Sequence, residues 1–161
     1  MISKATYRYM RPGEERRICD LIHRVFDHSV AGDFSEDGVH EFNEYARADK
    51  LAQRVQRGEL VLVAELDGEL AGVIEMRNDE HVAMLFVEPR GGGLGQGLFE
   101  RALGICRDRR PNLSSVSVHS SRYAVPFYER LGFRMCGPET IENGIVYIPM
   151  VLTLSETADQ I

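Results

Sequence analysis

The chain has 161 residues, 43% of them hydrophobic and 27% charged, enough for one globular domain with a real core and too few for two catalytic domains. Nineteen Lys and Arg against 25 Asp and Glu give a net charge of −6, which argues against nucleic acid or an anionic membrane surface as a partner. Cys19, Cys106 and Cys136 are odd in number and lack C-x-x-C spacing, so neither a disulfide framework nor a zinc site is expected. With no apolar leader and no run near the ~20 apolar residues of a membrane span, the expectation is a cytoplasmic chain.

In chain order, Tyr7 and Tyr9 alternate with polar neighbours before Pro12-Gly13, predicting a short strand and a turn. Ile18, Leu21, Ile22, Val25 and Phe26 then recur at helical spacing, and Gly32-Asp33 closes that helix. Residues 35–57 read as helical with a sparse stripe of Val39, Phe42, Leu51 and Val55. The region is acidic at its start: Asp33, Glu36, Asp37, Glu41 and Glu44 suit either a solvated helix face or the recruitment of a cationic amine. Two apolar runs, 60–66 and 69–76, flank Asp67-Gly68 and predict a hairpin. Residues 81–87 are almost free of polar side chains and read as a central strand buried on both faces.

Beyond a glycine cluster, Leu98, Phe99, Ala102, Leu103 and Cys106 predict a helix that stops at Arg107-Asp108-Arg109-Arg110-Pro111. Val116 and Val118 mark a strand, residues 122–131 a helix ended by Gly132, and 133–136 and 145–154 two closing strands. The order is one mixed α/β domain over residues 1–154, with a polar tail at 155–161. His23, His28, His40 and His119 have no metal-ligand spacing, so no metal is expected.

Five of the 15 glycines, Gly91, Gly92, Gly93, Gly95 and Gly97, fall within seven residues between a strand and a helix. Glycines let backbone approach a ligand, and a helix N-terminus offers unpaired N–H groups, so the junction suits phosphate oxygens. It is not a Walker A loop, because Leu98-Phe99 follow Gly97 where Lys and Ser or Thr are required. Nor does G-x-G-x-x-G fit, since its last glycine falls on Gln96 from Gly91 and on Leu98 from Gly93.

What fits is R-x-x-G-x-G, as Arg90-Gly91-Gly92-Gly93-Leu94-Gly95, and with it the chain resembles the GNAT superfamily of acetyl-CoA-dependent N-acetyltransferases. The loop is shorter than in many members, which bears on Arg90 more than on the backbone. A second motif follows, Ser121-Arg122-Tyr123-Ala124-Val125-Pro126-Phe127-Tyr128-Glu129-Arg130-Leu131-Gly132-Phe133, similar to the family's A-x-x-F-Y helix and L-G-F turn. Together with Gly137-Pro138-Glu139, Asn143-Gly144-Ile145 and Pro149-Met150, it resembles an uncharacterised bacterial branch.

The resemblance implies a mixed, mostly antiparallel sheet of six or seven strands with about four helices. It implies that the amides from Gly91 to Gly97, with Leu94 and Gln96 among them, wrap the coenzyme A pyrophosphate. Backbone groups of Leu85, Phe86 and Val87 would pair with pantetheine, Ser121 would contact the pantetheine arm, and Tyr128 would protonate the departing thiolate. Direct attack by an amine needs a base. The choice lies between His81, whose imidazole titrates near working pH, and a water held by a carboxylate such as Glu75 or Glu80. A coenzyme A-binding module without turnover is the alternative, and a homodimer through the closing strands fits either reading.

Overall fold

The computed structural model describes residues 4–88 and 92–155. Chain order is β1 (Ala5–Tyr9), α1 (Glu15–Ser29), a 3₁₀ turn (Ala31–Asp33), α2 (Glu36–Tyr45), α3 (Ala48–Gln56), β2 (Leu60–Leu66), β3 (Glu69–Arg77) and β4 (His81–Val87). Then come α4 (Leu94–Arg109), β5 (Ser115–Ser120), α5 (Val125–Arg130), β6 (Arg134–Met135), β7 (Thr140–Glu142) and β8 (Ile145–Thr153). The strands order as β1-β2-β3-β4-β5-β8-β6, with β7 also pairing β8; every pairing is antiparallel except β4 with β5. The architecture is the expected mixed sheet, with eight strands and five helices among the described residues.

Alternation along β2 builds two hydrophobic layers. Leu60, Leu62 and Ala64 face α4 and α5, packing with Leu98, Phe99, Ala102 and Phe133. Val61 and Val63 face the other way, onto Ile18, Leu21 and Ile22 of α1 and Leu51 of α3. Asp67 and Gly68 both adopt positive φ, 53° and 86°, as a two-residue hairpin with right-handed strand twist requires.

The helical stretch at 35–57 is two helices. Ser35 caps α2 by accepting the Gly38 N–H at 3.1 Å. The break after Tyr45 is stabilised from outside, because the Cys19 thiol meets the Ala46 carbonyl at 2.9 Å and Arg54 donates to the Tyr45 carbonyl at 2.8 Å. The sequence reading also omitted β7. Asn143-Gly144, with φ of 52° and 81°, turns it into β8, the same signal that Asp67-Gly68 carries.

Candidate active site

The site begins where two strands part. Strands β4 and β5 share only the register pairs His81↔Ser117 and Val82↔Val118. Just beyond, β4 carries a bulge at Ala83, because Val82 pairs with Met76 while Met84 pairs with Glu75. From there to Val87, β4 has a ladder on its β3 side alone. That explains why Leu85, Phe86 and Val87 are half-buried where burial on both faces was expected.

Antiparallel pairing aims the backbone of successive residues to opposite sides. The Glu88 N–H bonds the Ala71 carbonyl at 2.8 Å, so the amide and carbonyl of Val87, and by alternation of Leu85, face the opening towards β5. Phe86 is a correction to the expected trio, since its backbone turns to β3. Its ring instead meets Phe42 at 5.6 Å and Phe26 at 6.5 Å, forming an aromatic wall against α1 and α2.

The opening is a cleft of about 750 Å³. One end is the aromatic wall, with Phe34 beside Phe26 at 5.4 Å; the floor is β4; the other end holds Ser121, Phe127 and Tyr128. A second hollow of about 400 Å³ continues from Val87 to the glycine loop and is lined by Gly92, Gly93, Leu94, Gly95, Gln96 and Arg130.

The glycines divide into different tasks. Gly93, at φ +91°, swings the chain into α4, and a Cβ on Gly92 would meet only open space. Gly95 and Gly97 already lie inside α4: a Cβ on Gly95 would touch the Phe127 ring at 3.0 Å, and one on Gly97 would collide with the Tyr7 hydroxyl. The Gly97 amide is spent within the helix on the Gly93 carbonyl at 2.9 Å, so it leaves the expected cradle. The amides of Leu94, Gly95 and Gln96 open the helix ahead of that bond and have no intrahelical acceptor. Arg90 and Gly91 lie outside the described residues. Arg130 was missed by the motif reading, although it stands two residues after Tyr128 on the same helix.

Tyr128 is 4% exposed and packs edge-on against Phe127 and Phe133 at 5.1 and 5.2 Å. Burial raises its hydroxyl well above the ordinary phenol range, so it stays protonated and can act as a donor. Ser121 lines the cleft, but its Oγ also accepts the Ala124 N–H at 3.2 Å and helps start α5.

His81 lines the cleft too. Its Nδ1 lies 2.7 Å from Ser117 Oγ, and burial, followed by the proximity of His119 and Arg77, lowers its pKa to about 4, below the near-neutral titration expected of it. Glu75 does not join it. The Glu75 side chain is fully buried, held by Arg54 at 2.6 and 3.2 Å and by the Tyr45 hydroxyl at 3.1 Å, and is absent from the cleft lining. Glu80 is occupied by Arg110 at 3.1 Å. Of the acidic run, Asp33 pairs with Arg122 and Glu44 with Arg47 and Lys50, leaving Glu41 as the member that reaches the cleft. Among the described residues, no three His, Cys, Asp or Glu side chains converge to hold a metal ion.

An open strand edge leading to a helix N-terminus fits a long thioester with a phosphorylated tail: one offers unpaired amides and carbonyls, the other unpaired N–H groups. The class so defined is the coenzyme A-dependent acyltransferase. The chain belongs to the GNAT family within that class, because the model of the acetyltransferase (GNAT) domain matches residues 30–154. The chain is thus an N-acetyltransferase whose acyl donor is acetyl-CoA.

Relatives agree. The peptidyl-lysine N-acetyltransferase YjaB of Salmonella typhimurium is 29% identical over 114 residues, covering 68% of this chain and 76% of its own. A UPF0039 protein of Schizosaccharomyces pombe is 28% identical over 106 residues, covering 65% and 67%. Among solved structures, a GCN5-related N-acetyltransferase from Rhodopseudomonas palustris superposes with a TM-score of 0.80 at 22% identity, covering 96% and 98% of the two chains. PaiA N-acetyltransferase from Thermoplasma acidophilum, solved with coenzyme A, gives 0.76 at 19% identity, covering 94% and 99%. At those identities the two structures speak for the fold alone. Among the described residues no helix is long and apolar enough to cross a membrane.

Proposed function

We propose that the chain transfers acetyl to a primary amine on a small molecule or peptide by direct attack, with Tyr128 as the acid and His81 as the base. The observation that carries this reading is the parted β4 edge with Tyr128 and His81 on the same cleft. Backbone groups of Leu85 and Val87 bond the pantetheine amides, Ser121 touches the same arm, and the amides from Gly92 to Gln96 with Arg130 take the pyrophosphate. The amine nitrogen bonds to the thioester carbonyl carbon and gives its proton to His81 Nε2. The C–S bond breaks, and the leaving sulfur takes the Tyr128 hydroxyl proton, so an amide and free coenzyme A thiol result. His81 suits the base role better than Glu75, whose oxygens are committed to Arg54 and Tyr45.

A relative named for peptidyl-lysine supports a peptide amine among the acceptors, and the aromatic wall favours an acceptor with an apolar body. Three free cysteines support a reducing compartment such as the cytoplasm. The deciding experiment follows thiol release from acetyl-CoA with lysine peptides, polyamines, aminoglycosides and arylalkylamines. Tyr128→Phe is expected to lower kcat by about tenfold or more with KM for acetyl-CoA nearly unchanged. Saturable coenzyme A binding without thiol release on any acceptor would mark a binding module instead.

A further inference from the structure

Two aromatic side chains and one hydroxyl stand around the base, and the role of Tyr128 or of the glycine loop does not explain them. His81 and Ser117 are register partners on the only stretch where β4 and β5 pair. Ser117 is fixed a second time, its N–H bonding the Glu80 carbonyl at 2.9 Å. Its backbone is so held in register, and its Oγ stands 2.7 Å from His81 Nδ1. The His119 ring meets His81 edge-on at 4.9 Å, and is itself stacked on Tyr147 at 4.0 Å and 15°. Tyr147 is tethered in turn, its hydroxyl donating to Glu142 at 2.6 Å.

Resting on the reading of His81 as the base, we infer that Ser117 is its positioning residue: Oγ accepts the Nδ1 proton, and His119, clamped by Tyr147, blocks rotation of the ring. A neutral imidazole has one N–H and one bare nitrogen, and a hydrogen bond at the first decides which is which. With Nδ1–H given to Ser117, Nε2 carries the free lone pair, and Nε2 has no hydrogen-bond partner among the described residues. The opposite tautomer would place the proton on Nε2 and leave no acceptor for the amine. The bond to Ser117 also persists through turnover. Once Nε2 takes the amine proton both ring nitrogens are donors, and an acceptor at Nδ1 remains matched while the bond becomes charge-assisted. A hydroxyl that donated to Nδ1 would have to turn away at that moment.

The charged and titratable groups around the ring fit this division. Arg77, its register partner on β3, and Glu80, one residue before it, bracket the strand start, while His119 faces it from β5. Arg77 is engaged with the Tyr45 hydroxyl at 3.4 Å and Glu80 with Arg110, so neither competes for Nδ1.

The test has two arms. In the first, ¹⁵N NMR of histidine-labelled protein at pH 7 reads the tautomer without any acceptor: His81 is expected as the Nδ1–H form, becoming a mixture in Ser117→Ala. An Nε2–H form in the unmodified protein overturns the inference. In the second, thiol release is followed with phenethylamine or a lysine peptide, whichever turns over. Ser117→Ala is expected to lower kcat about tenfold with KM for acetyl-CoA and melting temperature unchanged, and Ser117→Thr, which keeps the hydroxyl, to restore most of it. In a His81→Ala background the Ser117→Ala change should cost nothing further, since the two act as one unit. An undiminished kcat in Ser117→Ala, or an equal loss in the His81→Ala background, overturns the inference while leaving the base in place. Undiminished kcat in His81→Ala removes the base itself.

Discussion

His81 and Glu75 lie on adjacent strands and carry opposite lessons about what a polar residue in an apolar strand is for. Glu75 is fully buried with Arg54 stacked at 3.8 Å over Tyr45, so it ties β3 to α3 and to the break after α2. Removing one member of a buried pair leaves the other charge uncompensated, at a cost of about 3–5 kcal/mol. Glu75→Gln is thus expected to lower the melting temperature by roughly 10 °C, with kcat at lower temperature moderately affected. A collapse of kcat at unchanged melting temperature would show Glu75 to be the base. For His81, the proposed base, burial first, then His119 and Arg77, disfavour the charged ring, which stays neutral down to about pH 4. The acid limb of kcat should therefore fall near pH 4 rather than near 6.5; a profile of kcat against pH with saturating acetyl-CoA checks it. The sign for stability is the same: the folded chain resists the proton that the unfolded chain accepts, so this contribution shrinks as pH drops from about 6.5 towards 4.

Among the elements, α4 shows how far the glycine cluster could be read. The strand-loop-helix order and a turn-forming glycine were legible, and Gly93 fills that part. That Gly95 and Gly97 serve helix packing was not, because their partners, Phe127 and Tyr7, are 32 and 90 residues away in the chain. Gly97→Ala is expected to cost about 1–3 kcal/mol by forcing α4 off β1. Gly92→Ala, where a Cβ meets nothing, should leave the melting temperature alone, a contrast that thermal unfolding of the two variants measures. The α2–α3 break was illegible for a similar reason. No Pro or Gly marks it, and it depends on Cys19 of α1 and on Arg54, near the far end of α3. The β7 strand could have been found, since Asn143-Gly144 repeats a signal already used.

For the molecule as a whole, the two hydrophobic layers seal two of the three thiols. Burial pushes Cys19 up to about 11 and Cys106 up to about 12, while Cys136 is exposed. Labelling with a disulfide reagent at pH 8 should modify one thiol in the folded protein and three in denaturant, and rapid reaction of all three would mean the layers open readily. The rim of the cleft is tied across distant parts of the chain. Arg122 grips Glu139 at 2.6 and 2.7 Å and Asp33 at 3.3 Å, so the start of α5, the approach to β7 and the turn after α1 meet at one guanidinium.

The two-pair contact between β4 and β5 has a consequence for cohesion. Strands β1 to β4 form one laddered slab and β5 to β8 another, and backbone hydrogen bonding barely crosses between them. In the proposed binding mode a donor molecule bonded to Leu85 and Val87 from the open side would supply backbone-like partners in place of the absent stretch of strand. The sheet of the loaded protein would then be more nearly continuous than that of the free one. On that binding mode, departure of coenzyme A would reopen the boundary between slabs each time product leaves.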